Sequence, residues 1–140
     1  MPLAILLSLV LTVACTLLHY ESLKLLNDAL PRLTIVAARA KVLVVLLAAI
    51  ASHLCQIVLF ALAYYVLRDK LGLGGFGGQF EDTFATFLYF SAEAYTTLGL
   101  GDVYPVGALR LVTGVEALLG LLMIGWTTSF TYLEMRRYWE

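Results

Sequence analysis

Three apolar stretches set the frame of this sequence: Leu3 to Leu18, Val42 to Leu67 and Ala108 to Tyr132. A bilayer core is crossed by about 20 apolar residues in helical form, because backbone N–H and C=O groups in hydrocarbon must be satisfied within the segment itself. The composition agrees. With 61% hydrophobic and 14% charged residues and a mean hydropathy of +0.90, the sequence reads as a membrane protein, and 140 residues allow one domain at most. A net charge of -1 supplies no basic surplus for nucleic acid. Cys15 and Cys55 each lie inside an apolar run and read as membrane-buried thiols.

Charges flanking these stretches give a direction. No Lys or Arg precedes Lys24, so the first stretch lacks the basic start of a signal peptide and residues 1–20 are expected to be a retained transmembrane helix. Residues 21–41 carry Lys24, Arg32, Arg39 and Lys41 against Glu21 and Asp28, which places them in the cytoplasm by the positive-inside rule. Pro31 and the surrounding leucines predict a broken amphipathic helix lying in the membrane interface. Arg136 and Arg137 put the short tail, residues 136–140, on the same side, leaving the N-terminus outside. The run Gly72 to Gly78 predicts a flexible external turn, and it lacks the spacing of a phosphate-binding loop.

Between that turn and the last apolar stretch lies the segment that carries chemistry. Asp82 or Thr83 can cap a helix over residues 83–95, which is too short to span and must re-enter and leave on one side. It runs into Thr97-Leu98-Gly99-Leu100-Gly101-Asp102. A dehydrated cation needs oxygen ligands in place of water, and successive backbone carbonyls aimed at one axis supply them. Gly99 and Gly101 reach the backbone angles this requires. Thr97 adds a hydroxyl, and the carbonyl end of the preceding helix adds partial negative charge.

This segment resembles the pore helix and selectivity filter of potassium channels, whose pattern is T-V-G-Y-G-D. Glu93 upstream and Tyr104-Pro105 downstream stand at the offsets seen in bacterial two-helix potassium channels. The resemblance implies an all-α membrane protein: an outer helix (42–67), a re-entrant pore helix (83–95), a filter (96–102) and an inner helix (108–132). These make a pore domain over 42–135, preceded by one extra transmembrane helix. It further implies that K+ is the permeating ion, held at Thr97, Leu98, Gly99 and Leu100 with Gly101 completing the filter. The pore would be a homotetramer in the inner (plasma) membrane, contacting only lipid and itself, with no resident cofactor, catalytic residue or nucleic-acid partner.

Two departures from the family pattern go together. Leu100 stands where tyrosine is usual, and Tyr89-Phe90 where two tryptophans often stand. Losing both partners of a buried hydrogen bond is nearly neutral, so the expectation is a filter supported by apolar packing. Weak selectivity, with Na+ also passing, is the alternative within this class, and a nonconducting channel-like regulatory subunit the alternative outside it. Glu93 and Asp102 match a carboxyl pair that in related channels meets behind the filter; Glu93 could instead satisfy backbone N–H groups.

Ser52, His53 and Gln56 interrupt the second stretch and Glu116 the third. Intramembrane polar groups have partners. A rise of about 1.5 Å per residue puts Gln56 about 21 Å and Glu116 about 24 Å from their cytoplasmic ends, so Glu116 is expected to bond Gln56 or His53, with His53 also a possible pH switch. Gly120 is the hinge candidate of the inner helix, or a packing glycine. Thr127 and Thr128 line a wet cavity or bond back to their own helix.

Overall fold

The computed structural model describes residues 1–139. Four helices and one two-stranded ribbon make up the fold: α1 (Pro2–Ala29), α2 (Ala38–Tyr65), β1 (Gly74–Gly78), α3 (Phe84–Tyr95), β2 (Val103–Gly107) and α4 (Leu109–Trp139). Helices α1, α2 and α4 are long and apolar enough to cross a membrane, and α3 is not. The protein is an all-α membrane protein apart from that ribbon.

In α1, Ala4, Ser8, Leu11, Cys15, His19, Leu23 and Leu26 are buried, a stripe at three- and four-residue spacing that faces α2 and α4. The opposite face, with Leu6, Leu9, Val13 and Leu17, is exposed as a lipid-facing surface would be. Hydroxyls of Ser8, Thr12 and Thr16 bond to carbonyls four residues earlier at 2.7–2.8 Å, which satisfies them without water.

The connection at residues 21–41 differs from the interfacial broken helix expected. Helix α1 continues unbroken to Ala29, a short 3-10 turn occupies Leu30–Arg32, and α2 starts at Ala38. The buried stripe explains it: Leu23, Leu26 and Leu30 extend the same face and pack on Val45, with Phe130 and Tyr138 alongside. Pro31 acts at the turn, where its missing N–H costs least. Likewise α4 runs through the expected tail to Trp139.

The glycine run is no flexible turn. Strand β1 pairs antiparallel with β2, Gly74 opposite Gly107 and Gly78 opposite Val103. Close approach of the partner backbone is the reason for glycine at 74 and 78. A Cβ on Gly78 would lie 1.9 Å from the Asp102 carbonyl oxygen, and the Gln79 N–H donates to that same oxygen at 3.0 Å. Phe76 then turns its ring onto Phe90 at 4.6 Å, joining the core of Phe60, Tyr64, Leu67, Phe87, Leu109 and Val112.

Candidate functional site

Helix α3 begins at Thr83 without a side-chain cap; the Thr86 hydroxyl instead bonds the Glu81 carbonyl at 2.5 Å, while Asp82 pairs with Arg68. Its buried face, Phe87, Phe90, Ser91, Ala94 and Tyr95, is wedged against α2 and α4. The helix ends at Tyr95 and residues 96–102 continue as exposed, irregular backbone.

Backbone geometry there is distinctive. Thr97, Gly99 and Gly101 have φ of 58°, 58° and 84°, whereas Leu98 and Leu100 between them are not in the positive region. In an ordinary extended strand successive peptides flip, and carbonyls alternate. An alternating sign of φ cancels that flip, which is what a row of co-directed carbonyls requires. Thr97 is the lone non-glycine residue at positive φ among the described residues. For a β-branched residue this is strain of roughly 1–3 kcal/mol, a pattern concentrated at functional sites. The donor edge is tied to its own chain: Thr97 N–H to the Ala94 carbonyl (3.1 Å), Leu98 N–H to the Glu93 carbonyl (2.9 Å) and Leu100 N–H to Glu93 Oε1 (3.2 Å). Leu98 and Leu100 are 62% and 63% exposed.

The two carboxyls behind this segment do not bond each other. Glu93, buried, accepts from Leu100 N–H, while Asp102 Oδ2 accepts from the Tyr89 hydroxyl at 2.9 Å. Apolar packing in place of the family's tyrosine–tryptophan bond was the expectation at Leu100; Tyr89, named among the supporting residues, adds a polar tie of its own, its phenol on α3 reaching the segment at residue 102. Phe90 faces the other way, onto Phe76 and Tyr64.

Glu116 does not bond Gln56 or His53. It is fully buried and accepts from the Tyr64 hydroxyl, with the Ser91 hydroxyl 2.5 Å from its Oε1; Ser91 also lies 2.8 Å from the Ile57 carbonyl. The observed helix ends explain the shift. From Trp139 to Glu116 is about 35 Å and from Ala38 to Gln56 about 27 Å, so Glu116 lies more than a turn beyond Gln56, nearer Tyr64. One side chain thereby joins α2, α3 and α4.

Gln56 and His53 instead belong to a second polar group that takes in His19 of α1, a fully buried residue that sequence reasoning passed over as the end of an apolar run. His53 Nδ1 lies 2.8 Å from the Tyr95 hydroxyl and its Nε2 2.9 Å from Thr127 Oγ1. Thr127 Oγ1 is 3.2 Å from His19 Nε2, and the Tyr95 hydroxyl donates to Gln56 Oε1 at 3.0 Å. Thr127 uses its hydroxyl within the chain, and Thr128 is exposed and bonds back to the Ile124 carbonyl at 2.9 Å; both residues also line an open pocket with Leu46, Tyr132 and Met135. Gly120 is a contact point. A Cβ there would lie 2.0 Å from the Tyr95 carbonyl oxygen, and α4 is continuous through it.

A short helix held between two membrane helices, and ending in a strained segment with its donors turned home, defines a membrane pore module. Residues 52–135 match the model of a family described as ion channel. The chain belongs to this family, that of the two-helix potassium-channel pore module. It is similar to the inward rectifier potassium channel Kirbac3.1 of Paramagnetospirillum magnetotacticum, 37% identical over 81 residues, which cover 56% of this chain and 25% of that protein. The chain thus spans about a quarter of that relative's length. No solved structure matches it.

Proposed function

We propose that four copies of this chain surround one pore and pass potassium down its gradient, with the carbonyls of Thr97, Leu98, Gly99, Leu100 and Gly101 as ligands. The observation that carries this reading is the alternation of positive φ at Thr97, Gly99 and Gly101, with the neighbouring N–H groups bound inside the chain. One chain offers one row of carbonyls, and a cation needs a ring of them. Fourfold closure of identical chains supplies the ring and covers Leu98 and Leu100. The family is one of channels, not of enzymes. In this reading α2 is the outer helix, α3 the re-entrant pore helix and α4 the inner helix. Arg32, Arg39, Lys41, Arg136 and Arg137 face the cytoplasm and the N-terminus lies outside, in the plasma membrane. Purified protein in liposomes is expected to give potassium-driven flux that barium blocks; no flux above that of empty vesicles would refute it.

Weak selectivity is the second reading, favoured by Leu100, whose side chain has no hydroxyl and is largely exposed in its own chain. A reversal potential that ignores replacement of K+ by Na+ would establish it.

A further inference from the structure

Five polar side chains from all four helices close into a ring: His19, Thr127, His53, Tyr95 and Gln56. Gln56 Nε2 lies 3.3 Å from His19 Nδ1, which completes the circuit, with the Ser52 hydroxyl beside it at 3.4 Å. The imidazoles stack at 5.2 Å between centroids. With Gln56 oriented as found, the protons are determined. Gln56 N–H must donate to His19 Nδ1, so neutral His19 carries its proton on Nε2 and donates to Thr127. The Tyr95 hydroxyl donates to Gln56 Oε1, so His53 must donate to Tyr95 from Nδ1, leaving Nε2 to accept from Thr127. Every member then gives one hydrogen bond and receives one, all in the same sense around the ring.

Such a ring takes up another proton only by breaking its one-way order. On His53 Nε2 it would face the Thr127 hydroxyl, and on His19 Nδ1 the Gln56 amide and the Ser52 hydroxyl. On His19 Nδ1 the new proton meets the donor N–H of Gln56, and on His53 Nε2 it obliges the Thr127 hydroxyl to turn from donor to acceptor; either way the one-way circuit is broken and a charge enters an apolar interior. None of the ring's bonds goes to Asp, Glu, Lys or Arg. The groups that face it from each element are Cys15 on α1, Ser52 on α2, Tyr95 itself on α3 and Glu116 on α4, the last engaged by Tyr64 and Ser91.

We infer that this ring is a proton-sensitive latch, fastening the additional helix α1 to the base of the candidate filter and released when one imidazole is protonated. Tyr95 is the link to conduction: its hydroxyl is in the ring, its carbonyl rests on Gly120, and Thr97 follows two residues later. The effect on flux rests on the conducting reading, whereas the latch does not.

Trp126 reports on it directly, because its ring stands edge-on to His19 at 5.4 Å, and an imidazolium quenches indole emission where neutral imidazole does so weakly. In detergent, with Trp139→Phe leaving Trp126 the sole tryptophan, emission is expected to fall roughly twofold between about pH 7 and about pH 3.5. His19→Gln should abolish the fall. Thr127→Val keeps the shape and both imidazoles but breaks the ring, and should move the midpoint to higher pH. Emission independent of pH, or a midpoint unchanged by Thr127→Val, would overturn the latch. In liposomes, flux of the wild type should fall at least roughly threefold over the same range and that of Thr127→Val should fall at higher pH. A pH-independent flux would overturn the link to conduction; no flux at any pH would count against the conducting reading alone, with Trp126 emission deciding the latch.

Discussion

At the scale of single residues, Gly120 is where a methyl group matters most. Its missing side chain lets α4 meet the carbonyl of Tyr95, and a Cβ would overlap that oxygen, whereas nothing lies within 4 Å of a Cβ on Gly114. Gly120→Ala is therefore expected to destabilise the protein by about 1–3 kcal/mol and Gly114→Ala to leave it unchanged or slightly firmer, read by thermal unfolding in detergent. Tyr89 and Leu100 share a second prediction. Tyr89→Phe removes the bond to Asp102 and is expected to lower the ratio of K+ to Na+ flux. Leu100→Tyr should alter that ratio too; identical reversal potentials for the wild type and both variants would disconnect these side chains from selectivity. Glycines at 99 and 101 were legible in the sequence because their backbone role is local. The role of Gly120 was not, since the partner that forbids a side chain lies twenty-five residues away.

At the scale of elements, the apolar runs announced the three long helices, and their ends were misjudged wherever a buried stripe continued past the last run of leucines. That error in length then misplaced Glu116. Its true partners, Tyr64 and Ser91, carry hydroxyls on residue types common in apolar cores, and only the packing of α2 and α3 on α4 selects them. Glu116→Ala removes the acceptor shared by both hydroxyls from a dry interface, leaving Ser91 the Ile57 carbonyl and Tyr64 the Thr113 hydroxyl, and about 1–3 kcal/mol of stability should be lost. Glu116→Gln, which can still accept and donate, should lose less; equal unfolding temperatures for Ala and Gln would show that the carboxyl holds nothing together. The ribbon was hidden for another reason. Glycine lowers strand propensity, and here the strand exists because the partner backbone comes too close for any other residue.

At the scale of the whole molecule, the row from Thr97 to Asp102 is exposed, and the proposed pore has four copies of it closing on one axis. The expected particle has four times the 15.4 kDa chain mass after subtraction of detergent. A stable monomer or dimer by light scattering would contradict the tetrameric pore. The sequence motif pointed to that row directly, because a candidate filter is read from consecutive residues. It gave no account of α1, whose tie to the pore runs through His19 and three other helices and so exists only in the folded chain.

The ribbon also makes part of this protein transplantable. Gly78 and Val103 are paired neighbours, so the polypeptide leaves the body of the fold and returns to it at one place. Everything between them, residues 79–102, is an insert with adjoining ends, carrying α3 and the candidate filter but none of α2 or α4. An insert of equal length from another channel can be spliced at that junction with both helices undisturbed, provided that it keeps a serine where Ser91 meets Glu116 and a phenol where Tyr95 meets His53.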